Sequence, residues 1–176
     1  MVSSDNHTIG FEPLLCDSPK ILVLGSLPGV ESITRNEYYY SNSNRLWKVL
    51  SAVMGEERVP EAYGQKKAML AKHHIALWDY YKSAEREGSE DKNIRNPQPN
   101  DIASFLRQYP TITTIAVNGF GKYKKFGKQL QKQVNDSGFG GQIRVLRLPE
   151  TSGVNQNHGW GDVNNLIKEW NQIIEK

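Results

Sequence analysis

Cysteine is almost missing from this chain: Cys16 stands alone among 176 residues. A lone thiol closes no internal disulfide and gives no zinc-site spacing, so a disulfide-stapled scaffold and a structural zinc fold are both excluded. Its ordinary role is a small filler ahead of the first strand. Also missing is any apolar run near the roughly 18 residues that suggest a membrane span. The N-terminus shows no basic, apolar and small-residue succession of a signal peptide. These absences point to a cytoplasmic chain without membrane association. Neither sign of charge dominates, because 22 Lys and Arg against 19 Asp and Glu leave a formal net charge of +3, too little by itself to define a polyanion partner. No internal repeat, low-complexity tract or linker divides the sequence.

What is present fits a single domain over residues 1–176, with 1–19 as a loosely packed lead-in. Residues 20–24, Lys-Ile-Leu-Val-Leu, are a short apolar run closed by Gly25, as expected of a central strand covered on both faces. Further strands are expected at 74–78, 113–117 and 143–148. In the last, Arg144 and Arg147 interrupt the apolar pattern as on a sheet edge. Between them come helices. Leu46, Trp47, Leu50, Val53 and Met54 keep helical spacing, with Ser43 or Asn44 to cap and Gly55 to stop. Residues 61–72 form a moderate helix after Pro60, and Asn100 or Asp101 caps a helix that ends before Pro110. Residues 80–99 are polar and irregular and are expected to form a long loop. The final helix carries Val163, Leu166, Ile167, Trp170, Ile173 and Ile174 at i, i+3, i+4, i+7 spacing. This alternation predicts a three-layer α/β/α sandwich around a four-stranded, mostly parallel sheet.

In such sheets ligands bind outside the carboxyl ends of the strands. Four features collect there: the loop 25–44, Asp79, Asn118 with Gly119, and the loop 149–160. The first loop is far richer than a connection requires. Gly25, Ser26, Pro28 and Gly29 let backbone amides approach a ligand, Tyr38, Tyr39 and Tyr40 offer stacking faces, and Asn42 and Asn44 both donate and accept. A flat polar ring suits that loop. Lys122, Lys124, Lys125, Lys128 and Lys132 crowd one helix, by default a solvated face.

Several motifs in order carry a family resemblance over about residues 20–170. Gly25-Ser26-Leu27-Pro28-Gly29, Tyr38-Tyr39, Asn44 before Trp47, Ala76-Leu77-Trp78-Asp79, Ala84-Glu85-Arg86-Glu87-Gly88-Ser89, Pro99-Asn100-Asp101 and Asn118-Gly119 together resemble the hypoxanthine-DNA glycosylase branch of the uracil-DNA glycosylase superfamily. Asn44-Arg45-Leu46-Trp47-Lys48-Val49 and Leu148-Pro149-Glu150-Thr151-Ser152-Gly153 are similar to pieces of the mismatch-specific uracil and thymine DNA glycosylases. The resemblance implies hydrolysis of an N-glycosidic bond in DNA containing deaminated bases, with no metal and no cofactor. It implies a catalytic Asn44 that orients water or the base edge, and base binding by Gly25, Ser26, Leu27, Pro28, Tyr39, Asp79 and Asn118, with Tyr39 stacking on the base. Ser152, Gly153, Val154 and Asn155 resemble the wedge that enters the duplex, Val154 being its apolar plug.

Two departures stand out. Leu27 replaces the polar residue that activates water in many relatives, which argues against giving that role to Asp79 or Glu31 by analogy, and Leu148 replaces the histidine of the classical uracil enzymes. His158 reads as a surface residue. Glu150 places a carboxylate where a phosphate contact is expected, with Lys122 and its neighbours to compensate and to contact DNA. The expected function is a monofunctional glycosylase for hypoxanthine, with uracil possible, acting as a monomer upstream of abasic-site processing enzymes. A mismatch-specific uracil glycosylase and a lesion-binding protein without catalysis are the alternatives.

Overall fold

Alternation along the central strands sorts the apolar residues into two cores. The computed structural model describes residues 6–176. Strand β1 (His7–Ile9) precedes β2 (Ile21–Gly25), in which every residue is buried. Ile21 and Val23 join one core and Leu22 and Leu24 the other, as the period of two requires. Helices α1 (Val30–Arg35), α2 (Leu46–Val53) and α3 (Tyr63–Lys72) follow, then β3 (Ile75–Asp79), β4 (Tyr81–Glu85) and β5 (Arg95–Pro99). The chain continues through α4 (Ile102–Gln108), β6 (Thr114–Asn118), α5 (Phe120–Asp136), β7 (Arg144–Leu148) and α6 (Val163–Trp170).

The main sheet has the order β3-β2-β6-β7 with every pairing parallel. Trp47, Leu50, Leu70, Leu166 and Trp170 cover one face, and Ile102, Phe105, Leu106, Phe126 and Leu130 the other, which makes the expected three layers. β7 lies at the edge, with Arg144 and Arg147 exposed. Because the strands are parallel and in register, Gly25 lies beside Asp79 and Asn118 beside Leu148 at one mouth.

Two expectations are corrected. Residues 80–99 are not irregular: β4 and β5 pair as an antiparallel hairpin, and β1 adds on the other side to give a second sheet of order β1-β4-β5. β5 contains Pro97 and Pro99, but it is an outer, fully exposed strand, where missing N–H donors are tolerated. The lead-in is also not loose where it is described. Leu14 bridges Leu77 at the free edge of β3, Phe11 packs edge-on against Tyr38, and the Tyr38 hydroxyl donates to the Glu12 carbonyl at 2.8 Å. Residues 1–5 of the lead-in lie outside the described residues. Helix α1 is six residues long and buries only Ser32, its two apolar residues Val30 and Ile33 being exposed, so its sequence carries little signal. No described helix is long and apolar enough to cross a membrane.

Candidate active site

The floor of the site is made by an absence of side chain. A Cβ on Gly25 would lie 2.6 Å from Asp79 Oδ1 and 3.0 Å from the Tyr39 hydroxyl, so only glycine lets these two groups meet beside the end of β2. Tyr39 adopts φ = 53°, an uncommon left-handed conformation for a bulky residue, and the indole N–H of Trp47 donates to its carbonyl at 3.1 Å. Helix α2 therefore holds the tyrosine backbone in a conformation that directs the ring to the floor. Such local strain is a recurrent property of working sites.

Above this floor lies a cavity of about 360 Å³, within the usual range of roughly 300–1,000 Å³ for small-ligand sites. Gly25, Ser26, Leu27, Pro28, Tyr39, Asn44, Asp79, Asn118, Lys122, Ser152 and Val154 all line it. The sequence-predicted residues thus converge, except Gly153 and Asn155, which shape the loop behind the rim. The Asn155 amide donates to the Glu150 carbonyl at 2.9 Å. A Cβ on Gly153 would stand 2.7 Å from the Ser43 carbonyl oxygen, so the two loops touch backbone to backbone. Val154 is 80% exposed, the most exposed of the large apolar side chains described.

Asn44 is held by its acceptor. Its Oδ1 receives hydrogen bonds from the Leu46 amide at 3.0 Å and from Thr151 Oγ1 at 2.9 Å. Asn44 is therefore both a helix-start contact and a cavity residue, and the pinned oxygen leaves its Nδ2 as the group to meet a ligand. Thr151 is fully buried and receives a 3.0 Å bond from Asn118 Nδ2, while its own amide donates to Asn118 Oδ1. Asn118 is thereby committed to the protein on both sides of its amide.

Lys122 is not on an outer face. Its ammonium contacts Glu150 at 2.7 Å and Asp91 at 3.6 Å, and only 12% of its side chain is exposed. Burial acts to lower its pKa, and the two carboxylates outweigh that effect and hold it above the usual range. This corrects the expectation of a lysine directed at phosphates, and it shows how Glu150 is accommodated. Asp91 also accepts from Ser26 Oγ at 2.7 Å.

Asp79 differs from these paired groups. It is 4% exposed, and its Oδ2 is buried without a hydrogen-bond partner, as is the Tyr39 hydroxyl. Burial pushes the Asp79 carboxyl up to about 7, against smaller opposing effects of Lys122 and Arg86. Burial and the nearby Asp79 likewise raise the Tyr39 phenol far above its ordinary range.

Sequence reasoning missed the supports. Arg86 is buried and donates to the Pro28 and Gly88 carbonyls, tying the Gly25–Gly29 turn to the β4–β5 connection. Ser89 accepts from the Val30 amide at 2.9 Å. Arg45 donates to the carbonyls of Thr151, Ser152, Asn155, Trp160 and Gly161, stapling the second loop to the start of α2. Arg45, Arg86, Ser89 and Thr151 all lie inside the recognised motifs, so the signal existed without the geometry to interpret it. His158 is exposed and does not line the cavity. Among the described residues no three His, Cys, Asp or Glu side chains are grouped to hold a metal ion.

The parallel sheet with this cavity at its mouth belongs to a known class. The profile of the uracil DNA glycosylase superfamily matches residues 12–174, and the chain belongs to that superfamily. Within it, the chain is 32% identical over 167 residues to a hypoxanthine DNA glycosylase of Methanosarcina acetivorans, covering 94% of this chain and 96% of that protein. A hypoxanthine DNA glycosylase of Methanosarcina barkeri is 34% identical over 110 residues, 62% of this chain and 70% of that one. The solution NMR structure of a proposed uracil DNA glycosylase from Methanosarcina acetivorans superposes with a TM-score of 0.73 at 27% identity, covering 96% of this chain and 99% of that one.

Proposed function

We propose that this chain is a monofunctional DNA glycosylase that hydrolyses the N-glycosidic bond of a deaminated base in DNA, hypoxanthine foremost and uracil second. The observation that carries the reading is the convergence of Tyr39, Asn44, Asp79 and Ser26 on one cavity with Val154 exposed at its rim. A base inside a duplex must leave the stack to be cut. Val154 fills the gap it leaves, and the apolar contact offsets part of the unstacking cost. The loop of Gly25, Ser26, Leu27 and Pro28 meets the edge of the base with main-chain donors, which stabilise negative charge as the base departs. Tyr39 supplies a flat wall.

The charges suit the same chemistry. Glu31, Asp91 and Glu150 line the cavity against one ammonium, that of Lys122. Such a lining repels phosphate, which keeps the backbone at the rim and admits the base alone. It also favours the positive charge that grows on a sugar as its glycosidic bond breaks. With Oδ1 pinned by Thr151 and Leu46, Asn44 uses Nδ2 to hold the attacking water or the base edge. An amide is too weak a base to remove a proton, so its role is orientation.

The protein works as a single-domain monomer in the cytoplasm and leaves an abasic site for a separate processing enzyme. The test is base release from duplexes containing deoxyinosine or deoxyuridine opposite each partner base, with Asn44→Ala alongside. Abasic sites from the wild-type protein and a large loss in the variant are expected. Tight lesion binding without base release would instead define a lesion-binding protein.

A further inference from the structure

The cavity holds one ionisable group that the scheme above leaves idle. Asp79 ends β3 at the floor, with Oδ2 buried and unpartnered and Oδ1 in the space that Gly25 leaves open. A buried polar atom without a partner is costly, and its persistence calls for an explanation in function. Resting on the glycosylase reading, we infer that Asp79 is a second catalytic residue, the acid that protonates the departing purine.

The surroundings support an acid rather than a base. Tyr38 and Tyr39 face the carboxyl from the loop before α2, Lys122 from α5, and Arg86 and Asp91 from the β4–β5 connection. Neither cation pairs with it. Lys122 is taken by Glu150 and Asp91, while Arg86 donates through Nε and Nη2 to the carbonyls of Gly88 and Pro28 and its Nη1 is buried without a hydrogen-bond partner. An unpaired carboxyl in such a place favours its neutral, proton-carrying form, and burial indeed raises it to about 7. The other donors nearby are poorer acids, since the Lys122 ammonium and the Tyr39 phenol are both held above their ordinary ranges. A catalytic acid is most effective when its pKa lies near the working pH.

The step balances as follows. The C1′–N9 bond breaks and its electron pair stays on N9. The Asp79 O–H bond breaks and the proton moves to N7, so hypoxanthine leaves as a neutral molecule. Water adds its oxygen to C1′, and the proton it sheds reaches solvent, from which the Asp79 carboxylate is reprotonated. Uracil has no N7 and departs as an anion held by main-chain donors, so this proton serves purines specifically.

The experiment is a single-turnover pH–rate profile from pH 5 to 9 on a deoxyinosine duplex, for the wild-type protein and Asp79→Asn, with affinity for a duplex carrying non-cleavable 2′-fluoro-deoxyinosine as the check on folding. The expected wild-type rate falls with pH above about 7, where the carboxyl loses its proton. In the variant the rate drops about 10²–10⁴-fold, the usual range for loss of acid catalysis, and that fall with pH disappears while the analogue still binds. A wild-type profile flat between pH 6 and 8 overturns the proposal without recourse to any variant. So does a variant that keeps the wild-type rate and profile. A wild-type protein that releases no base overturns the glycosylase reading itself, a distinct result visible before any variant is made.

Discussion

Thr151 Oγ1 donates to Asn44 Oδ1 across 2.9 Å, joining residues 107 positions apart and giving the two cavity loops one shared polar contact. Thr151→Val keeps the shape but removes the hydroxyl that fixes the Asn44 amide and accepts from Asn118. Because small misplacements of a positioning group cost about 10²-fold, base release is expected to fall by that order. Affinity for a non-cleavable lesion analogue should stay near wild type. Quench-flow or gel-based single-turnover rates beside an equilibrium binding curve separate the two.

Gly25→Ala tests the floor. Its methyl group would stand 2.6 Å from Asp79 Oδ1, closer than Cβ atoms are found, and 3.0 Å from the Tyr39 hydroxyl, a tight contact. Overpacking of this kind costs about 1–3 kcal/mol, so a lowered melting temperature should accompany the loss of both lesion binding and release. A variant with wild-type lesion binding would show that the base does not rest at this floor.

Val154→Ala tests the plug. The side chain is 80% exposed, so stability should change by less than about 0.5 kcal/mol. Release from duplex DNA should slow, while release from a single strand, where no gap needs filling, should not. The ratio of the two rates is the measurement.

Asp79 also links folding to pH. Its carboxyl rises from 3.8 to about 7 on folding, so between those values the native state binds more protons than the unfolded chain. The Asp79 contribution is therefore most favourable below the lower value and is lost as pH rises through the upper one. Asp79→Asn removes that dependence. Its stability relative to wild type should climb from pH 4 to pH 8, by about 1–3 kcal/mol, the usual scale for an unsatisfied buried polar group. Urea unfolding at a series of pH values measures it.

The parallel core was legible because its signals are local. β2, β3 and β6 are mostly apolar runs of about the right length, and α2 and α6 repeat their apolar residues at helical spacing. The second sheet was not, since β4 mixes Lys82, Ser83 and Glu85 into its pattern and β5 carries two prolines; its strands are defined by pairing, which is non-local. The same division holds in the site. Glycines, tyrosines and Asn44 announce themselves in the first loop. Lys122 looked like one of several surface lysines, and only the approach of Asp91 and Glu150 from two other loops turns it inward. Arg45 and Thr151 are commonplace in sequence and become structural only when the loop 149–160 folds back against the start of α2.

The prolines of β5 have one more effect. A terminal strand normally offers a row of free amides and carbonyls on which a neighbouring molecule could build. Pro97 and Pro99 lie in a fully exposed strand and remove two of those amides, which blunts the rim against lateral growth. Pairing of a second copy along this edge is thereby disfavoured.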